Sequence, residues 1–112
     1  MTDWPTARIS DARLDVIVSR LVAALQPERI YLFGSKARGD EDPESDYDLM
    51  VVVATSAQPA YRRAQDAHTL LWDLGTAADV LVWTREEFDE RLALAASLPA
   101  TILREGKLLY AV

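Results

Sequence analysis

The chain has 112 residues, 50% hydrophobic and 27% charged, with a net charge of -6, one histidine and no cysteine. That length suits a single domain spanning residues 1–112 with one modest core. The acidic balance disfavours an extended nucleic-acid footprint, and the missing cysteines exclude disulfides, thiolate nucleophiles and thiolate metal sites. Room remains for a small basic patch of triphosphate size. The opening MTDWPTAR has no apolar signal segment, and no apolar run reaches membrane-spanning length. A cytoplasmic protein without membrane contact is the expectation.

Residues 1–9 read as a short arm, and Ser10 suits a helix N-cap. Leu14, Ile17, Val18, Leu21 and Leu25 recur at helical spacing, and Pro27 closes that helix. RIYLF, residues 29–33, is a strand with Tyr31 and Phe33 on one face and Ile30 and Leu32 on the other. Apolar residues on both faces predict a strand covered on both sides. A Gly34-Ser35 turn follows, whose amides would hold phosphate better still if Lys36 to Arg38 opens a short helix. Residues 39–45, GDEDPES, form an acidic, turn-rich loop in which Pro43 forbids a regular helix.

Residues 46–53, DYDLMVVV, make a second, central strand. After a loop, Pro59 fits the first turn of a helix over residues 59–74, with Ala60, Ala64, Ala67, Leu70, Leu71 and Leu74 inward and Gly75 as its stop. ADVLVW, residues 78–83, is a third strand. Thr84 and Glu87 have the spacing of a capping box. The helix after it carries Phe88, Leu92, Leu94 and Ala95 and ends near residues 97–99. A short helix over residues 100–104, stopped by Gly106, leads to an edge strand or extended tail at residues 107–111. Trp4, Trp72 and Trp83 are expected to be core or interface mass, and His68 an exposed helix residue. Alternating helices and strands indicate an α/β fold. The pattern alone admits a doubly wound parallel sheet.

The chemistry concentrates in residues 29–53. Asp46 and Asp48 are two apart at the start of a strand, so both carboxylates aim into one volume. Like charges that close repel, and a divalent cation resolves the conflict. Gly34 permits a strained backbone, and the amides after it can cradle phosphate oxygens beside the positive charges of Lys36 and Arg38.

Gly34-Ser35, ten intervening residues, then Asp46-Tyr47-Asp48 resembles the GS-x10-DxD signature of the DNA polymerase β-like nucleotidyltransferase superfamily. The longer stretch GSKARGDEDPESDYDL and the closing ILREGKLLY resemble the minimal nucleotidyltransferase (MNT) family, the MntA-type antitoxins of HEPN/MNT toxin-antitoxin modules. The resemblance implies an α+β nucleotidyltransferase fold with a mixed sheet. It implies Asp46, Asp48 and, on the third strand, Asp79 as catalytic and Mg²⁺-binding carboxylates. Asp73 is the alternative third acid, though a helix end before Gly75 suits it poorly. Gly34 and Ser35, with Lys36 and Arg38, would hold the phosphates of ATP. The implied reaction transfers AMP to a hydroxyl, a tyrosine of a HEPN-domain toxin, and so silences the toxin. Two rival readings are a non-catalytic antitoxin that neutralises its partner by binding, and a transferase acting on a small-molecule hydroxyl.

Overall fold

A computed structural model describes residues 12–38, 46–75 and 77–112, without the side chains of Ser35 and Arg38. The expectations for Ser10, Trp4 and the acidic loop at residues 39–45 lie outside the described residues.

The first helix, α1, runs Ala12–Leu25 and buries Leu14, Ile17 and Leu21. It ends at Gln26, which adopts a left-handed φ of 48°, ahead of Pro27. Strand β1 is Arg29–Phe33, followed at once by the short helix α2, Gly34–Arg38. Strand β2, Tyr47–Val53, precedes α3, Ala60–Leu71, and a 3-10 turn, Trp72–Leu74. Gly75 stops this turn with a φ of 63°. Then come β3, Ala78–Thr84, α4, Arg85–Arg91, α5, Leu98–Glu105, and β4, Lys107–Ala111.

The four strands form one mixed sheet in the order β3-β2-β1-β4. Connection length explains the directions. The five-residue α2 cannot cover a sheet face, so β2 returns antiparallel to β1. The twelve-residue α3 can, and its crossover sets β3 parallel to β2. The tail is a true strand, β4, antiparallel to β1 with an irregularity between Ile30 and Tyr31.

Strand alternation splits the core in two. Ile30, Leu32, Leu49, Val51, Val80 and Val82 face α1 and α3, meeting Leu14, Ile17, Leu21, Ala67 and Leu71. Tyr31, Met50 and Val52 face Phe88 of α4 and Ile102 of α5. The Tyr31 and Phe88 rings stack at 5.6 Å between centroids. Both faces of β1 and β2 are thus covered, as their apolar sequences require.

Three expectations change. On α3, Ala60 is exposed, and Arg63 takes the inward position instead, at 7% exposure. It is stable there because it donates to the Val82 carbonyl (2.7 Å), the Gln58 carbonyl (2.9 Å) and both oxygens of Glu87. The helix expected to run through Leu94 ends at Arg91, leaving Leu94 63% exposed. Ser97 ends it: its hydroxyl donates to the Arg91 carbonyl (2.6 Å) and accepts from the Ala100 amide (3.3 Å), capping α5. Trp72 is 87% exposed, which removes the core half of the core-or-interface expectation.

The Thr84–Glu87 capping box is formed as expected. Arg63, together with the Thr84 amide, lowers the Glu87 pKa from 4.5 to about 2. A depressed carboxylate contributes stability above its unfolded pKa and loses it as pH falls through the folded one. The wild-type chain should therefore lose stability between about pH 4.5 and pH 2 more steeply than Glu87→Gln. The carboxylate is 43% exposed, so solvent screening limits the expected difference to about 1–2 kcal/mol, measurable by thermal melts across that range.

Candidate active site

The C-terminal end of β1 and the N-terminal ends of β2 and β3 come together at one margin of the sheet. Phe33, the last residue of β1, pairs with Asp48, and Asp48 pairs in turn with Asp79 across the parallel β2–β3 ladder. Paired residues on neighbouring strands lie about 4.8 Å apart and share a face. Leu81 and Trp83 join the α4–α5 side of the core, so alternation puts Asp79, like Asp48, on that side. Asp46 immediately precedes β2, exposed and two residues from Asp48. Tyr47 between them is buried on the opposite face, in the α1–α3 core.

Gly34 carries the closest approach in the site. Its φ is 75°, a conformation that glycine adopts without strain. A Cβ placed there would lie 2.2 Å from Oδ2 of Asp48 and 3.1 Å from its Cγ. The Asp48 carboxylate thus occupies the space that the missing side chain leaves, against the first residue of α2. Gly34 is needed twice, for its backbone angle and for that space.

Of the two basic residues, the structure describes only the Lys36 side chain, and it is engaged elsewhere. The Lys36 ammonium lies 4.7 Å from the centroid of the Tyr47 ring, a cation–π contact with a residue of the other face. The Arg38 side chain and the Ser35 hydroxyl lie outside the described atoms. Asp73 is committed elsewhere: Arg20 grips both its oxygens, one at 3.1 Å, and that hydrogen bonding lowers its pKa. It ties α1 to the turn after α3 and is not a third site carboxylate.

His68 is exposed on its helix, as expected, but sequence reasoning misses its neighbour. Its Nε2 lies 3.9 Å from Oδ1 of Asp79. The signal was present in the short link after α3: Trp72–Leu74 and Gly75 leave little chain before β3, so the last turn of α3 must lie near the first residues of β3. The donors at this margin offer carboxylate oxygens, a hard set that suits Mg²⁺ rather than a thiophilic metal. Among the described residues, no three His, Asp or Glu side chains converge closely enough to ligate one ion without the carboxylates adjusting.

Residues 14–109 match the family model described as a nucleotidyltransferase domain. The chain belongs to the nucleotidyltransferase domain family. It is a transferase by that membership, and the expected mixed-sheet nucleotidyltransferase fold is the observed one. A nucleotidyltransferase-assigned protein from Sulfolobus solfataricus superposes with a TM-score of 0.64 at 21% identity, over 88% of this chain and 78% of that one. A toxin-antitoxin crystallised with AMP-PNP superposes at 0.53 and 23% identity, covering 88% and 73%. A tyrosine-to-alanine mutant of the toxin-antitoxin MntA-HpeT superposes at 0.58 and 23% identity, covering 88% and 72%. At such identities the likeness speaks for the fold. No curated protein sequence matches the chain. Among the described residues, no helix is long and apolar enough to cross a membrane.

Proposed function

We propose that this nucleotidyltransferase domain is a Mg²⁺-dependent adenylyltransferase that moves AMP from ATP to a hydroxyl of a HEPN-domain toxin, a tyrosine, and so acts as its antitoxin. The observation that carries the proposal is the ladder pairing of Asp48 with Asp79, with the Asp48 carboxylate seated against Gly34. Asp46, Asp48 and Asp79 would hold the metal. Bound Mg²⁺ would supply charge neutralisation on the phosphates and orient them for in-line displacement.

The chain's own groups do the rest. Gly34 and Ser35 would present backbone amides to the phosphate tail. Arg38 would add positive charge to that tail, and Lys36, held over Tyr47, would act on it at longer range. The acceptor oxygen attacks the α-phosphorus, the bond from that phosphorus to the bridging oxygen breaks, and pyrophosphate leaves. Asp79, 67% exposed on the outer strand, would take the acceptor proton. Among the superposed structures, one toxin-antitoxin holds AMP-PNP, and a mutant of MntA-HpeT changes two aspartates two residues apart, the spacing of Asp46 and Asp48. The net charge of -6 argues against a nucleic-acid acceptor, and use of ATP fits a cytoplasmic setting.

Incubating the chain with ATP, Mg²⁺ and a HEPN-domain protein encoded beside it should raise that protein's intact mass in steps of one AMP. A stable complex of unchanged mass, formed under conditions where the chain binds nucleotide, would favour neutralisation by binding alone.

A further inference from the structure

Asp79 stands apart from its two companions. Asp48 is partly buried between neighbouring strands and seated on Gly34, whereas the Asp79 side chain is 67% exposed on β3, the terminal strand of the sheet. Among the described residues, no further strand flanks it. A group that steadies Asp79 must come across the open edge of the sheet. α3 supplies one. Ala67 and Leu71 anchor this helix in the core against Val80 and Val82, and the residue after Ala67 is His68. Its imidazole meets Asp79 across the edge, Nε2 to Oδ1 at 3.9 Å. That separation is longer than a hydrogen bond and within reach of one after a small rotation or through one water.

We infer that His68 is a positioning residue of the site, which restrains the Asp79 carboxylate at the sheet edge and thereby prepares it to receive the metal–nucleotide complex. The inference rests on the proposed role of Asp79. Three carboxylates in a chain of net charge -6 repel one another, and the outermost is the freest to swing away. An imidazole N–H at the sheet edge gives that carboxylate a fixed partner and so limits the orientations it samples. Groups that orient a ligating carboxylate in this way commonly change metal affinity about 10–100-fold when removed. With both partners half exposed, the lower end of that range is expected here.

His68 is the single histidine of the chain, so its ring gives one unambiguous set of imidazole resonances. The first readout uses the metal-free protein at fixed pH: Asp79→Asn should shift those resonances, and Asp46→Asn should shift them much less. The second is calorimetric binding of Mn²⁺ in the presence of AMP-PNP. His68→Ala should weaken it about tenfold. His68→Gln, whose amide nitrogen stands close to the position of Nε2, should recover most of the loss. In an Asp79→Asn background, His68→Ala should have no further effect, since the two groups act as a unit. Melting curves will show the fold unchanged, because His68 is a surface residue. If Asp79→Asn weakens binding but His68→Ala does not, or the two losses add, the positioning role is wrong and the site reading stands. If Asp79→Asn itself binds like wild type, the metal role of Asp79 falls, and the inference falls with it.

Discussion

Replacing Asp48 with asparagine should abolish nucleotidyl transfer and leave the fold standing. The change keeps the shape of the side chain and removes the charge. In the proposed site that charge helps hold the cation, and a metal supplies several kcal/mol of transition-state stabilisation. With each tenfold in rate worth about 1.36 kcal/mol, the loss should be about a thousandfold or more. Stability should not fall. Asp48 lies beside Asp79 in the ladder and two residues from Asp46, so neutralising it relieves repulsion in the metal-free chain. Asp46→Asn should behave in the same direction. The check is the rate of AMP incorporation by intact mass, run beside a circular-dichroism melt. An inactive variant that has also unfolded would make Asp48 a structural residue, and an active one would remove it from the chemistry.

Gly34→Ala should damage both activity and stability. The φ of 75° alone costs a non-glycine residue about 1–2 kcal/mol. The new Cβ would also stand 2.2 Å from Oδ2 of Asp48, so the carboxylate must rotate off its seat. Misplacing a catalytic group by about 1 Å is enough to cost about a hundredfold in rate. The two costs separate in a second background. With Asp48→Gly the clashing atoms are gone, and Gly34→Ala should then cost the backbone term alone. An equal loss of melting temperature in both backgrounds would mean that the contact with Asp48 contributes nothing.

Much of this site is written in short-range patterns. The strand before Gly34-Ser35, the strand opened by Asp46 and Asp48, the stop at Gly75 and the Thr84–Glu87 box each depend on residues close in the chain, and each appears where those residues place it. What depends on partners distant in sequence was not legible. β1 and β2 are apolar on both faces, so alternation carries no information on direction; the lengths of α2 and α3 decide it instead. Arg63 is absent from the inward face expected for α3, because the Val82 carbonyl and Glu87 that satisfy it lie far along the chain. Ser97 looks like the end of one helix, yet it caps the next. His68 reads as an ordinary surface side chain until β3 is laid alongside α3 and Asp79 arrives next to it. The closing KLLY could have been a tail or a strand, and pairing with β1 makes it a strand.

The proposed function depends on Asp48 and Asp79 together holding one cation next to Gly34. The most direct measurement is a crystal structure with Mn²⁺ and AMP-PNP, read by anomalous scattering. The prediction is a metal peak about 2.1 Å from oxygens of both carboxylates, with the nucleotide phosphates against the Gly34-Ser35 backbone. Nucleotide bound with its phosphates away from Gly34, and no metal peak at either carboxylate, would contradict it.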